Sequence, residues 1–375
     1  MVDLALKMLL HDKLKFLITV AGVAFAVTLV LVQVGLFIGL LDNSTVTIEH
    51  TDADLWVTSR ETPNIDFPHL FSDSLVQRVR STPGVERADN LIVEYQNIAL
   101  PNGAQETVII YALNNFRQWN LPWDIVDGDP DDLKRGGYFF LDESAARRFG
   151  PFRVGDYREI QQTRLRIIGR TRGARSFTTS PIAFMDFDRG QALGSDRLRG
   201  QTAYMLVKLA PGADPKAVKA EVQRRLPHND VYRKDEWARR SRNYWIISTG
   251  LGFNLFMTVF LGCMVGLVIV AQTLYSSTME HLKEFGTVKA IGGSNADIYR
   301  LLAEQAVVSA AVGYVLGVLP TFFLQPLLQK IDLRLIIPNS FLIGVFFGSL
   351  VMCLGAAMIS FRKVAKIDPA LVFRT

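Results

Sequence analysis

Apolar residues along this chain gather in four blocks, 16–41, 246–275, 307–328 and 341–361, with polar sequence between them. A helix needs about 20 mostly apolar residues to cross a hydrocarbon core roughly 30 Å thick, and every block meets that length. Gln33 is the one strongly polar residue of the first block. Buried helices of a soluble core seldom sustain four near-uncharged runs of this length, so four spanning helices are predicted. The first block opens behind Lys7, Lys13 and Lys15 and contains Ala24-Phe25-Ala26, which has the look of a cleavable leader. Its apolar run continues to Leu41, past the about 7–15 residues of a leader's core, which favours an uncleaved span.

The polar stretch 42–245 alternates differently. Strand-like runs at 54–58, 91–99, 107–112, 164–169 and 202–209 predict strands, and helix-like runs at 72–80, 143–149 and 215–226 predict helices. Asp214 before Pro215 is a helix-start signal. Thr82-Pro83-Gly84, Pro101-Asn102-Gly103 and Asp127-Gly128-Asp129-Pro130 are turn signals. The expected fold class is an α-helical membrane bundle of four transmembrane helices with a large α+β domain, in one or two lobes, inserted between helices 1 and 2. The corresponding segments are 1–15, a cytoplasmic or interfacial N-terminal helix; 16–41; the domain 42–245; 246–275; a loop 276–300; 301–328; a short loop 329–340; 341–361; and a tail 362–375.

Charge sets the orientation. Lys7, Lys13 and Lys15 precede the first span, Lys283, Lys289 and Arg300 lie between the second and third, and Arg362, Lys363, Lys366 and Arg374 follow the fourth. The positive-inside rule therefore puts both termini and the 276–300 loop in the cytoplasm and the inserted domain in the periplasm, with the chain in the inner membrane. The net charge of +5 is largely juxtamembrane, so no nucleic-acid partner is inferred. Lys234 to Arg242 lacks Gly and Pro, which predicts a helical stalk continuing span two outward. Trp237, Tyr244 and Trp245 would then form an aromatic belt at the outer interface. Each span carries one Gly-x-x-x-Gly: Gly35/Gly39, Gly262/Gly266, Gly313/Gly317 and Gly344/Gly348. Such pairs let helix backbones approach closely, within a bundle or across a dimer.

The two cysteines, Cys263 and Cys353, fall inside apolar blocks, so the polar domain folds without disulfides. A Gly-x-x-x-x-Gly-Lys-[Ser/Thr] loop is missing from the sequence, as are a His-Glu-x-x-His and Cys/His metal spacing. No catalytic, cofactor or metal residue is assigned. His11, His50, His69, His228 and His281 read as surface or loop histidines. The basic run Arg164, Arg166, Arg170, Arg172 and Arg175 reads first as a solvated strand face, with an acidic partner or lipid headgroup as the alternative.

The segment Thr278–Asn295 is short and amphipathic. Glu280 and Glu284 are four apart and share a helical face. Leu282, Phe285 and Ile291 offer apolar anchors, Gly292-Gly293 ends a helix, and Ser294 or Asn295 caps the next. This suits docking into a groove of a soluble partner, or lying on the bilayer as a linker.

The same segment resembles the coupling helix of ABC-transporter permeases of the MacB/FtsX type (type VII), most closely their DevC-like, heterocyst-glycolipid-exporter branch. Met279, Glu280, Lys283 to Thr287 and Lys289 to Gly292 follow that branch's pattern, while His281 stands where it has Arg and Gly293 where it has Ala. Ala21 to Ala26, Gln33 to Phe37 and the tail Ile367 to Arg374 resemble it too. The resemblance implies a homodimer of permeases on two copies of a separate ABC ATPase, which would bind the ATP and Mg. It further implies contact through Glu280, Glu284, Phe285, Lys289 and Ile291, a periplasmic adaptor (membrane fusion protein), an outer-membrane duct, and export of an amphiphilic or lipid-like substrate in contact with membrane lipids. The alternative is an FtsX-like signalling permease that controls a periplasmic enzyme.

Overall fold

The computed structural model describes residues 7–9, 11–193, 196–281, 284–287, 293–331 and 333–364. It divides into a helical unit, Met1–Gly39 with Gly252–Thr375, and an inserted unit, Leu40–Leu251. Among the described residues four helices are long and apolar enough to cross a membrane. They are span one, Lys13–Asn43; span two, Leu251–Glu280; span three, Asn295–Gln329; and span four, Asn339–Val364.

Small side chains and backbone carbonyls join the spans. A Cβ on Gly317 would come within 2.7 Å of the Ala24 carbonyl oxygen, and one on Gly313 within 2.6 Å of the Val23 Cβ. Gly262 meets Leu29, and Gly266 meets Ala26. These two pairs therefore bring spans two and three onto the same stretch of span one, residues 20–29, through different residues of it. Hydroxyls add to the contact: Thr28 donates to the Gly317 carbonyl at 2.7 Å, Thr19 to Thr273 at 2.8 Å, and Ser360 to the Ala271 carbonyl at 3.2 Å. Gly35 and Gly39 receive no helix. They accommodate the extended stretch before span four, with Leu335 and Ile337 against Gly35 and the Arg334 backbone against Gly39. The Ile336 N–H donates to the Gly35 carbonyl at 3.1 Å. Gly344 and Gly348 have nothing within 4 Å among the described residues. They line an apolar groove of about 450 Å³ with Ala26, Val30, Cys263 and Met352.

The inserted unit is built on a mixed sheet. Its strands are β1 (Leu55–Ser59), β2 (Phe71–Ser72), β3 (Val85–Ala99), β4 (Gln105–Ala112), β5 (Ile125–Asp127), β6 (Tyr138–Asp142), β7 (Tyr157–Ile160), β8 (Thr163–Thr171), β9 (Ile182–Met185), β10 (Gln201–Thr202), β11 (Tyr204–Leu209) and β12 (Asn229–Arg233). The order is β12-β1-β11-β3-β4-β9-β6-β8-β5, with β2 and β10 pairing apart. β7 pairs with both β3 and β8, closing a ring β3-β4-β9-β6-β8-β7. Among the described residues only β4–β9 and β6–β8 run parallel. Ile92, Ile110, Phe139, Leu141, Ile167 and Met185 share one core of the domain. The outer end of the sheet has its own core, in which Leu55, Val57, Met205 and Val207 pack with Val76 and Val79 and with Val218 and Val222 of the helix Pro215–Arg225. Long β3 serves both lobes. Asp214 caps that helix, accepting from the Lys216 N–H at 3.0 Å.

Two expectations for span two are corrected. Residues 246–248 belong to a π-helical turn, Tyr244–Ser248, and the spanning helix begins only at Leu251. The helix Lys234–Asn243 forms, but the stalk does not run on unbroken: Thr249 ends the π turn and Gly250 takes φ +72°, a left-handed conformation that glycine adopts without strain. Nor do the aromatics make a belt. Trp237 is fully buried and stacks on Tyr232 with centroids 5.3 Å apart, and Trp245 stacks on Phe177 at 3.8 Å. Both rings are core of the inserted unit.

Candidate functional site

Span two ends in a turn whose backbone bonds pass smoothly on. The His281 N–H donates to the Ser277 carbonyl and the Phe285 N–H to the His281 carbonyl, each at 3.1 Å. Residues 284–287 are helical. Span three then starts on a capping box: the Ser294 hydroxyl accepts from the Asp297 N–H at 3.3 Å, and the Asp297 carboxylate accepts from the Ser294 N–H at 2.9 Å. This settles the choice between Ser294 and Asn295 as cap.

Around that turn the structure gathers charges from two parts of the chain. His281 holds its Nδ1 2.5 Å from the Glu284 carboxylate and its Nε2 3.3 Å from the Asp12 carboxylate. The second contact lacks the alignment of a hydrogen bond. Asp12 lies 3.6 Å from the Lys15 ammonium, and Lys15 also pairs with Glu280. The result is an alternating series, Glu284–His281–Asp12–Lys15–Glu280. Its middle members are sheltered, with the His281 side chain only 9% exposed, while the two glutamates are 60% and 58% exposed. Anchored at its centre and open at both ends, the series presents two carboxylates at fixed spacing to whatever meets this end of the bundle. A concavity of about 250 Å³ is lined by His281 and Glu284 of the series together with Lys7, Met8, His11, Phe285 and Leu301.

Several site expectations change. Phe285, expected to project toward a partner, is 3% exposed and packs with Met8, Ile298 and Leu301. A ring that size gains more from the chain's own apolar cluster than it would in water. His281, read as a surface histidine, is buried. Glu280 and Glu284 are both exposed, but each is held by a residue that sequence spacing did not nominate. Lys289 and Ile291, together with Leu282, Lys283 and the 367–374 tail, lie outside the described residues. The role of the N-terminal segment went unread. The only hint is that His11-Asp12 interrupts the apolar and lysine pattern just before span one.

The basic run of the inserted domain has partners within the domain while Arg164, Arg166 and Arg172 stay exposed, as on a solvated strand face. Arg164 and Arg166 lie on one strand face, 4.4 and 6.0 Å from the Tyr157 ring. Arg170 and Arg172 pair with Glu143 at 3.6 and 3.1 Å. Among the described residues no group of three or more His, Cys, Asp or Glu could hold a metal ion.

Comparison with known proteins bears on both units. Residues 16–225 match the MacB-like periplasmic core domain family, and residues 255–369 match the FtsX-like permease C-terminal family. A 109-residue stretch is 35% identical to an uncharacterized ABC transporter permease of Mycobacterium bovis, covering 29% of this chain and 30% of that relative's length. Over 98% of both chains, it is 25% identical to an uncharacterized ABC transporter permease of Mycobacterium tuberculosis. The macrolide export ATP-binding/permease protein MacB of Agrobacterium fabrum is 24% identical over 61% of this chain and 37% of its own. Among solved structures, the periplasmic region of MacB from Actinobacillus actinomycetemcomitans is similar over 49% of this chain and 90% of its own, at 12% identity and a TM-score of 0.39.

Proposed function

The chain belongs to the MacB/FtsX family of ABC transporter permeases, and from that premise we propose that it is the membrane subunit of an exporter driven by a separate ATPase polypeptide. The observation that carries the reading is the charge series at the end of span two, which ties Glu280, His281 and Glu284 to Asp12 and Lys15 at the start of span one and leaves Glu280 and Glu284 facing outward. A partner pulling on those carboxylates would load spans one and two together, because Lys15 belongs to the first, Asp12 directly precedes it, and Glu280 ends the second. Phe285 supports this from inside, as the plug that fastens the turn to span three. Lys289 and Ile291 would extend the contact.

In this reading both termini and the turn lie in the cytoplasm of a bacterial inner membrane and the inserted domain in the periplasm. Motion from ATP hydrolysis passes along spans one and two to the domain, in a homodimer of the DevC-like branch. The cargo is amphiphilic or lipid-like and is passed on with a periplasmic adaptor and an outer-membrane duct. The family's alternative use, control of a periplasmic enzyme, shares every step up to the domain.

The test is co-purification with the cognate ATPase. Glu284→Lys replaces one outward carboxylate with the opposite charge and also sets a cation against His281. It is expected to abolish ATPase association while the protein still inserts into the membrane. Association at the wild-type level would refute the docking role. Thiol labelling of Arg170→Cys from outside, and of Lys289→Cys only from inside, checks the orientation.

A further inference from the structure

Asp66 has no part in anything described so far. It sits in the loop between β1 and β2 and is 1% exposed. Its backbone is fixed by an Asn64 turn, whose Oδ1 accepts from the N–H groups of Asp66 and Phe67 at 2.8 and 3.0 Å. The Tyr204 hydroxyl closes on the same turn, meeting the Asn64 and Ile65 carbonyls at 2.9 and 3.0 Å. The carboxyl itself is poorly served. Oδ2 accepts one long bond from the Phe177 N–H at 3.4 Å, and Oδ1 has no hydrogen-bond partner among the described residues.

Asp142 makes the contrast. It is equally buried, yet it accepts from the N–H groups of Ser144 and Ala174 and from the Thr171 hydroxyl, at 3.0, 2.8 and 3.2 Å. The titratable groups around Asp66 are phenols: Tyr95 from β3, Tyr111 from β4 and Tyr204 from β11. Arg175, at the base of the 175–181 hairpin, acts on Asp142. Burial pushes the Asp66 carboxyl up to about 7, against the weaker opposing pull of the Phe177 N–H. Both of its protonation states are therefore populated near neutrality.

The neighbours of Asp66 lead to one place. Phe177, whose N–H it holds, lies flat on Trp245 with centroids 3.8 Å apart and planes 11° from parallel. Phe67, the next residue, meets Trp245 at 5.7 Å and Tyr244 at 6.2 Å. Both partners belong to the π-helical turn Tyr244–Ser248, a geometry that recurs at functional positions of helices.

We propose that Asp66, Phe67 and Phe177 form a proton-operated clamp on Trp245, closed when the carboxyl is neutral and loosened when it ionises, so that acidity around the inserted domain sets the freedom of the segment leading into span two. A neutral carboxyl is tolerated among phenols and phenyl rings. A carboxylate there has one weak donor and must draw in water, which the loop 60–70 and the 175–181 hairpin admit only by parting. Parting them withdraws Phe67 and Phe177 from the indole. The clamp calls for no ATPase, so its failure and the failure of the docking proposal are told apart.

The experiment uses the full chain in lipid nanodiscs. The Trp245 contribution is obtained as the fluorescence difference between wild type and Trp245→Phe, from about pH 5.5 to about pH 8.5. Wild type should show a single transition centred near 7, and Asp66→Asn should lose it, holding the low-pH signal throughout. Hydrogen exchange at 176–180, corrected for its intrinsic pH dependence, should quicken above the transition in wild type only. An unchanged transition in Asp66→Asn, or a flat wild-type profile, overturns the proposal. Should Asp66→Asn fail to fold, Phe177→Leu carries the test: it keeps the backbone donor and removes the stack, so a Trp245 signal that still titrates as in wild type also overturns it.

Discussion

In the helical unit close approaches are made over glycines, Gly317 over the Ala24 carbonyl and Gly313 over the Val23 side chain. In the inserted unit they are of ring to ring, with Phe184 meeting Tyr111, Phe116 and Trp123 at centroid distances of 5.9, 6.3 and 5.8 Å. The difference follows from the solvent each unit is built for. In water, burying an aromatic side chain is itself the driving force. In lipid a leucine is as comfortable outside as inside, so helices associate through close packing and hydroxyl-to-carbonyl bonds. Hence the exposed Phe253, Phe323 and Val351 of the spans need no cover, whereas the domain's large rings are almost all covered.

That comparison can be broken or sharpened at four places, in falling order of effect. Trp119→Ala should cost about 5 kcal/mol in chemical denaturation of the inserted domain, because it opens a ring-sized cavity and removes the 2.8 Å indole bond to Asp89. Next, the domain's stability should carry a pH slope from Asp66. Its folded pKa is raised, so the contribution is fully present below about pH 4, declines as pH rises and is lost above about 7. The size is roughly 4 kcal/mol at about 1.4 kcal/mol per pK unit, and Asp66→Asn should flatten it. Gly317→Ala should destabilise the bundle by about 1–3 kcal/mol, read as thermal inactivation in detergent, since its methyl meets a carbonyl that cannot yield. Gly348→Ala, at an open position, should change the same reading by less than about 0.5 kcal/mol. A larger loss there would mean that another molecule uses the groove.

The sequence made some of this readable and hid the rest for physical reasons. Spans announce themselves because lipid demands long uncharged runs. β8 shows period-two alternation because one of its faces is less covered than the other, while β4 and β11, buried at nearly every position, are legible as short runs of β-branched and aromatic residues between turn signals. β9 is buried at every position and β12 mixes Asn and Asp into its register, so neither has a pattern to find. The parallel pairing of β4 with β9 joins residues more than seventy positions apart, beyond any local signal. Tryptophans flanking a span look the same whether they face headgroups or a domain core, and only Tyr232 and Phe177 decide for Trp237 and Trp245. At the candidate site, Glu280 and Glu284 were legible from their spacing. Phe285 was misread because an aromatic on a short amphipathic helix does not say which side is already filled. His281 and Asp12 were missed because their partnership spans most of the chain.

Gly35 and Gly39 have a mechanical corollary. Span one could slide along its own axis only by carrying a different side chain beneath the stretch 333–338. One helical turn away, about 5.4 Å, the residue that would come to the place of Gly35 is Leu31, whose isobutyl group would strike the Leu335 and Ile337 side chains and the Ile336 carbonyl where a hydrogen atom now lies. With the Gly35 carbonyl also bonded to the Ile336 N–H, the notch works as an axial stop. Piston-like travel of the first helix past the final hairpin is blocked, and any stroke it makes must be a tilt or a roll, or else must drag that hairpin along.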